Sequence, residues 1–175
     1  TVEYPAQFML VASMNPCPCG YFGSKTRECT CTPLQISKYL SKLSGPLMDR
    51  IDLHISVDSV TYDDLTGDSL AESSEKIRER VNKARRIQLE RFTGTGVHCN
   101  AKMTAVMLKE FCKTDDESER LLRQAFDKLK LSARAYTRIL KVARTIADLA
   151  GEENITIKHI SEALNYRSMD RDYLG

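Results

Sequence analysis

No apolar run in this sequence approaches the roughly twenty residues that a bilayer-crossing helix needs, and the mean hydropathy is −0.37, so a membrane span is excluded. The opening Thr1-Val2-Glu3-Tyr4-Pro5 has neither the basic region nor the apolar core of a secretory signal, which predicts a cytoplasmic chain. Charge of one sign is not in excess. The 26 Lys and Arg stand against 24 Asp and Glu, and a net charge of +2 does not by itself point to a nucleic-acid partner. No G-x-x-x-x-G-K-[ST] loop is present to wrap nucleotide phosphates. There is no internal repeat and no low-complexity tract.

What is present suits a folded chain. Apolar residues make up 42% and charged residues 29% of 175, enough for a core in one ordinary domain or two small ones. The charges are unevenly placed: residues 61–74 hold four acidic and no basic side chains, a local −4, whereas 75–91 hold seven basic against three acidic, a local +4. Of the six cysteines, four fall close together at Cys17, Cys19, Cys29 and Cys31, while Cys99 and Cys112 stand apart and are expected to pack as small apolar residues.

Gln7 to Met14 (QFMLVASM) lies between Pro5 and Pro16 and reads as a buried strand. An irregular Cys-, Gly- and Pro-rich loop follows, to Thr32. Thr32-Pro33 then opens a helix, with Leu34, Tyr39, Leu40 and Leu43 apolar, and Ser44-Gly45-Pro46 ends it. Ile51 to Val57 (IDLHISV) alternates apolar and polar residues as a half-buried strand does. Beyond Val60 the pattern turns helical, with helices expected at 74–91, 103–112, 115–130, 133–149 and 157–166. Ser132 and Thr156 are expected as N-caps, Gly151 as a stop, and Ile160, Ala163 and Leu164 as inward residues. The chain thus divides into an α/β piece (1–60), an acidic linker with a connecting helix (61–99) and an all-helical piece (100–175). Two strands do not make a stable sheet alone, so the α/β piece is expected to be the second half of a larger domain.

Cys17-Pro18-Cys19 and Cys29-Thr30-Cys31 are two C-x-C hooks separated by nine residues. In extended backbone, residues i and i+2 point the same way, so each hook offers two sulfurs to one side. Four converging thiolates make a closed zinc site with a structural role. Reduced free thiols and a redox pair remain alternatives, zinc being preferred for clustered cysteines in an intracellular chain.

Asn15 directly follows the first expected strand, where ligands sit in open α/β sheets, although a turn-forming Asn before Pro16 is the simpler reading of that residue alone. Arg50 lies on a short helix-to-strand connection; an ion pair with Asp49 or Asp52 is the simpler reading there. Arg134, Arg138, Lys141 and Arg144 recur on one expected helix. Arg134 sits in its first turn, where the helix dipole disfavours a cation, which hints at a specific anionic partner; the other three read as a solvated basic face. Arg78, Arg80, Lys83, Arg85 and Arg86 form a second basic face with no interleaved aromatics, read first as solvated or inter-subunit.

Several stretches together resemble a known family. Phe8-Met9-Leu10-Val11-Ala12-Ser13-Met14-Asn15-Pro16-Cys17-Pro18-Cys19-Gly20-Tyr21 looks like the sensor 1 strand and Cys loop of magnesium chelatase-like AAA+ ATPases of the YifB/ComM group. Cys29-Thr30-Cys31-Thr32-Pro33, Ser44-Gly45-Pro46-Leu47-Met48-Asp49-Arg50-Ile51-Asp52-Leu53-His54 and Leu131-Ser132-Ala133-Arg134-Ala135-Tyr136 continue the match in order. The resemblance implies a mainly helical chain, the α/β remnant of an AAA+ core followed by an all-α helical lid. It implies Asn15 as sensor 1, Arg50 as the arginine finger reaching a neighbouring subunit's ATP, and Arg134 as sensor 2. It further implies a homo-oligomeric ring, a hexamer, using ATP and Mg²⁺ to drive DNA helicase or branch-migration work in natural transformation and recombination. The Walker A and B residues would lie before Thr1, so this stretch alone is expected to be inactive. A metal-chelatase motor is the rival within that class, and a zinc-stabilised nucleic-acid or protein-binding module without ATPase activity is the rival outside it.

Overall fold

The computed structural model describes residues 2, 4, 6, 8–57, 60, 62, 66 and 72–167. Two compact units divide the chain, Thr1–Leu43 and Ser44–Gly175.

In the first unit, a segment without regular secondary structure runs into the cysteine loop and then into helix α1, Pro33–Leu40. Its start is fixed locally. The Thr32 hydroxyl accepts from the Gln35 backbone N–H, the Gln35 side chain accepts from the Thr32 N–H, and proline occupies the first turn.

The second unit opens with the single turn α2, Gly45–Met48, capped by Ser44. Helix α3, Ser74–Arg91, follows, then a 3₁₀ turn at Asn100–Lys102, and then α4 (Ala105–Phe111), α5 (Asp116–Leu129), α6 (Ala133–Ala150) and α7 (Ile157–Asn165). Side-chain caps start them: Ser132 caps α6 as expected, and Ser73, Thr104 and Asp115 cap α3, α4 and α5. Gly151 stops α6 at φ +74°, the left-handed geometry that terminates helices. At α7 the cap differs in chemistry, because the His159 ring Nδ1 accepts from the Thr156 N–H at 3.1 Å.

The core of this unit lies where α6 crosses its neighbours. Ile139, Leu140, Ala143 and Ala147 of α6 meet Ile160 and Ala163 of α7, with Phe92, Met103, Leu108, Cys112, Leu122 and Ile155 around them. Alanines at the crossing let the two helices approach closely. Phe92 and Phe111 add an edge-to-face ring pair at 5.6 Å. Burial among these residues pushes the Cys112 thiol up to about 11, so it behaves as the small apolar residue expected, whereas Cys99 is half-buried.

One carboxylate organises the polar part of this core. Asp148 is fully buried and accepts from Arg91 of α3, from Asn100 of the 3₁₀ turn at 2.7 Å, and from Arg144 of its own helix at 3.0 Å. The Arg144 guanidinium continues to the Glu152 and Glu153 carbonyls, each at 2.6 Å, tying down the loop before α7. Gln88, also buried, accepts from the Asn100 N–H at 3.0 Å.

The mainly helical expectation holds, and no described helix is long and apolar enough to cross a membrane. The two strands do not form among the described residues. Gln7 lies outside those residues, while Phe8 to Met14 has no regular secondary structure and is exposed, with Phe8 at 76% and Val11 at 85%. A strand needs a neighbouring backbone to pair with, and none of the described residues supplies one. In the other segment Leu53, Ile55 and Val57, expected inward, are exposed, and His54 is the buried residue. Its N–H donates to the Tyr166 carbonyl at 2.8 Å, so this backbone bonds to the end of α7 rather than to a sheet. On α3 the packed face takes in only part of the apolar face formed by Ile77, Val81, Ala84, Ile87 and Leu89: Ala84 is buried with Gln88 and Ile87 is half-buried, while Ile77, Val81 and Leu89 are exposed. Most of the acidic run at 61–71 lies outside the described residues.

Asp148→Ala leaves two buried guanidiniums facing each other and is expected to cost about 3–5 kcal/mol. Urea unfolding of the chain measures this as a lowered midpoint.

Candidate functional site

The four cysteines of the two hooks lie together in the first unit. Cys17 Sγ lies 3.3 Å from Cys19 Sγ and 3.7 Å from Cys29 Sγ, and the Cys19 and Cys29 sulfurs are 3.5 Å apart. With Cys31, all four sulfurs fall within 4.8 Å of one another, and none is in a disulfide. Local backbone makes this convergence. The Gly20 N–H donates to the Cys17 carbonyl at 3.0 Å in a tight turn with Gly20 at φ +85°, and the Phe22 N–H donates to Cys17 Sγ at 3.4 Å. Between the hooks, the Arg27 guanidinium stacks 4.4 Å over the Tyr21 ring and bonds its hydroxyl at 3.1 Å. The second hook runs straight into the cap of α1 at Thr32.

The electrostatics of the cluster are those of thiols sharing protons. The Tyr21 N–H directed at Cys19 pulls that thiol down to about 5, although burial opposes it. The Cys31 N–H would favour a Cys29 thiolate, yet burial and the neighbouring Cys19 and Cys17 sulfurs outweigh it and push Cys29 up to about 12. Four thiolates at these separations repel one another, and a divalent cation among them removes the conflict. Four converging sulfurs with backbone N–H groups aimed at them are a donor set that fits such a metal.

Asn15 sits at the mouth of this loop. A Cβ on Gly20 would lie 3.8 Å from its Nδ2 and 3.9 Å from its Cγ, so the exposed Asn15 amide rests over the glycine turn.

Arg50 and Arg134 are presented from one joint of the second unit. Ser132, the N-cap of α6, donates through its hydroxyl to Asp49 Oδ2 at 3.1 Å. Arg50 follows that aspartate and Arg134 follows the serine by two residues, and both side chains are exposed. The ion pair expected between Arg50 and Asp49 or Asp52 is not formed. Asp49 faces Ser132 and, at 3.7 Å, Arg167; Asp52 is paired with Arg138; Arg50 Nη1 donates to the Pro46 carbonyl at 2.7 Å. No partner for the Arg134 guanidinium occurs among the described residues.

The solvated face expected for Arg138, Lys141 and Arg144 is also corrected. Arg138 bonds Asp52 and the Arg50 carbonyl, Lys141 donates to the Ala101 carbonyl at 2.8 Å, and Arg144 is buried on Asp148. Arg78, Arg80, Lys83, Arg85 and Arg86 of α3 are exposed, with Arg80 paired to Glu72. The interaction sequence reasoning missed is the capture of Asp49 and Asp52. Its signal was the D-R-I-D spacing, two acids flanking an arginine that leaves them for other partners.

The residues that hold these features match one family of proteins. The model for magnesium chelatase, subunit ChlI, covers residues 1–65, and that for the C-terminal part of the same subunit covers residues 71–167. The chain belongs to this magnesium chelatase-like family and corresponds to the C-terminal part of its YifB/ComM members. It is 46% identical over 173 residues to competence protein ComM of Haemophilus influenzae, covering 97% of this chain and 32% of that protein. It is 40% identical over 172 residues to the protein YifB of Escherichia coli, covering 97% and 33%, and 35% identical over 164 residues to Rv2897c of Mycobacterium tuberculosis, covering 94% and 32%. The chain spans about a third of the length of these relatives.

Gly20→Ala places a Cβ in left-handed backbone, a strain of about 1–2 kcal/mol. It is expected to open the turn and expose Cys17, which a thiol reagent measures as faster labelling of that residue.

Proposed function

We propose that the chain is the C-terminal part of an AAA+ ATPase motor, in which residues 1–60 complete the nucleotide-binding core, 61–99 connect and 100–175 form the helical lid. The observation that carries this reading is the presentation of Arg50. Its acidic neighbours are engaged by lid residues, which leaves an exposed guanidinium for an anion from outside the chain. In a homo-oligomeric ring, a hexamer in the cytoplasm, that anion is the γ-phosphate of ATP on the neighbouring subunit, with Mg²⁺ and the phosphate cradle supplied by residues outside this chain. Arg50 then offsets the charge that spreads over the phosphoryl oxygens in the transition state. The Asn15 amide orients the attacking water, and Arg134 contacts the nucleotide of its own subunit and links lid position to hydrolysis. The apolar segment Phe8 to Met14 suits a strand of the larger core. Cys17, Cys19, Cys29 and Cys31 would hold a structural zinc ion in a closed thiolate set, bracing the loop beside Asn15.

The relative named as a competence protein and the exposed basic face of α3 favour DNA as what the motor moves, by helicase or branch-migration activity. A metal-chelatase-type ATPase subunit is a second reading, favoured by the family's own description.

In the full-length protein, Arg50→Ala is expected to lower ATP turnover by about 10³-fold while nucleotide binding persists. Wild-type turnover in that variant removes the finger assignment. DNA binding by the chain through α3, with no ATPase activity in the full-length protein, favours the binding-module rival instead. Metal analysis of anaerobically purified protein is expected to return about one zinc per chain, lost when Cys17 and Cys29 are both changed to serine. Metal-free protein with the same fold rejects the structural zinc.

A further inference from the structure

Residues 49–54 form no regular element, yet they are tethered to the lid almost residue by residue. Asp49 takes the Ser132 hydroxyl and faces Arg167; the Arg50 carbonyl accepts from Arg138 at 2.6 Å; the Ile51 carbonyl accepts from Arg167 at 3.0 Å; Asp52 pairs with Arg138; the His54 N–H donates to Tyr166. Arg167 is buried, so this is an anchor inside the packing and not only a rim of surface charge. The partners come from the first turns of α6 and the end of α7, between 83 and 118 residues away in sequence.

We propose that Asp49, Asp52, Arg138 and Arg167 act as a latch that ties the Arg50 segment, at the end of the core piece, to the lid, so that a displacement of Arg134 is transmitted to Arg50. This rests on the reading of Arg50 and Arg134 given under Proposed function and adds what joins them. Two physical consequences follow from the latch. First, it removes from Arg50 the carboxylates that stand nearest in the chain; released, Asp49 and Asp52 would compete with an external phosphate for its guanidinium. Second, a nucleotide that displaces the lid by pulling on Arg134 also displaces Arg50 through the Ser132–Asp49 hydrogen bond. Occupancy of one site thereby sets the finger offered to the next, and coupling of this kind is reciprocal. Asp49, Asp52, Arg138 and Arg167 are positioning residues, since none needs to touch nucleotide.

The test pairs a structural readout with a functional one. Arg138→Met keeps the aliphatic stem and removes the charge-assisted bonds; Asp52→Asn, at a half-exposed side chain, is the variant whose folding is least at risk. Both are expected to speed hydrogen exchange at the His54 amide, without loss of the helical fold. In the full-length protein they should lower the cooperativity of ATP hydrolysis toward independent sites, with a fall in kcat of about tenfold and little change in nucleotide affinity. Arg138→Lys, which keeps a charged donor, should recover part of both effects. Faster exchange with wild-type cooperativity and kcat overturns the latch, provided Arg50→Ala remains inactive. Wild-type turnover in Arg50→Ala removes the finger reading itself, and this inference with it.

Discussion

The second unit depends on a carboxylate without water. Asp148 sits in the core and is tolerable there only because Arg91, Arg144 and Asn100 all donate to it. That requirement places α3, the 3₁₀ turn and α6 in one register, since moving any of them strands a charge in low dielectric. Apolar packing between α6 and α7 accounts for the cohesion of the helices, but it is non-directional and would allow neighbouring registers. The buried ion cluster is directional. Arg144 also reaches the carbonyls that lead into α7, so the loop before that helix is held by the same charge that orders the rest.

This register is what makes the joint at Asp49 and Ser132 meaningful. α6 carries Ser132 and Arg138 at one end and Asp148 near the other, so the polar core fixes the helix from which the Arg50 segment is held. The two arginines read as nucleotide contacts are therefore tied to a rigid rod, not to independent loops. The cysteine loop follows a separate logic. Its geometry comes from one glycine turn, two short hooks and a helix cap, all within residues 15–35.

Sequence reasoning succeeded where structure is local. The bounds of α3 and α6, the Ser132 cap and the Gly151 stop follow from residues within a few positions of each other. The convergence of the C-x-C hooks was legible for the same reason, because extended spacing and an intervening loop suffice to bring the sulfurs together. The two strands do not form among the described residues because an apolar run or an alternating pattern describes a preference that only a pairing partner realises. Arg144 was misread as solvated because an i, i+4 Arg–Asp pair looks the same on a surface helix and in a core; Arg91 and Asn100, distant in sequence, decide which it is. Asp49 and Asp52 were expected to serve their neighbour Arg50, and partners more than eighty residues away took them instead.

The stretch from Phe8 to Met14 has a practical consequence. Phe8, Met9, Leu10, Val11 and Met14 in it are large, apolar and turned to solvent, and no backbone partner for it occurs among the described residues. Ribbons of this kind pair edge to edge with copies of themselves when no cognate sheet is available. In concentrated solution an exposed apolar ribbon of this kind is an aggregation site on an otherwise well-packed chain. A short polar strand supplied in trans, or a charge placed at Val11, would decide whether it stays dispersed.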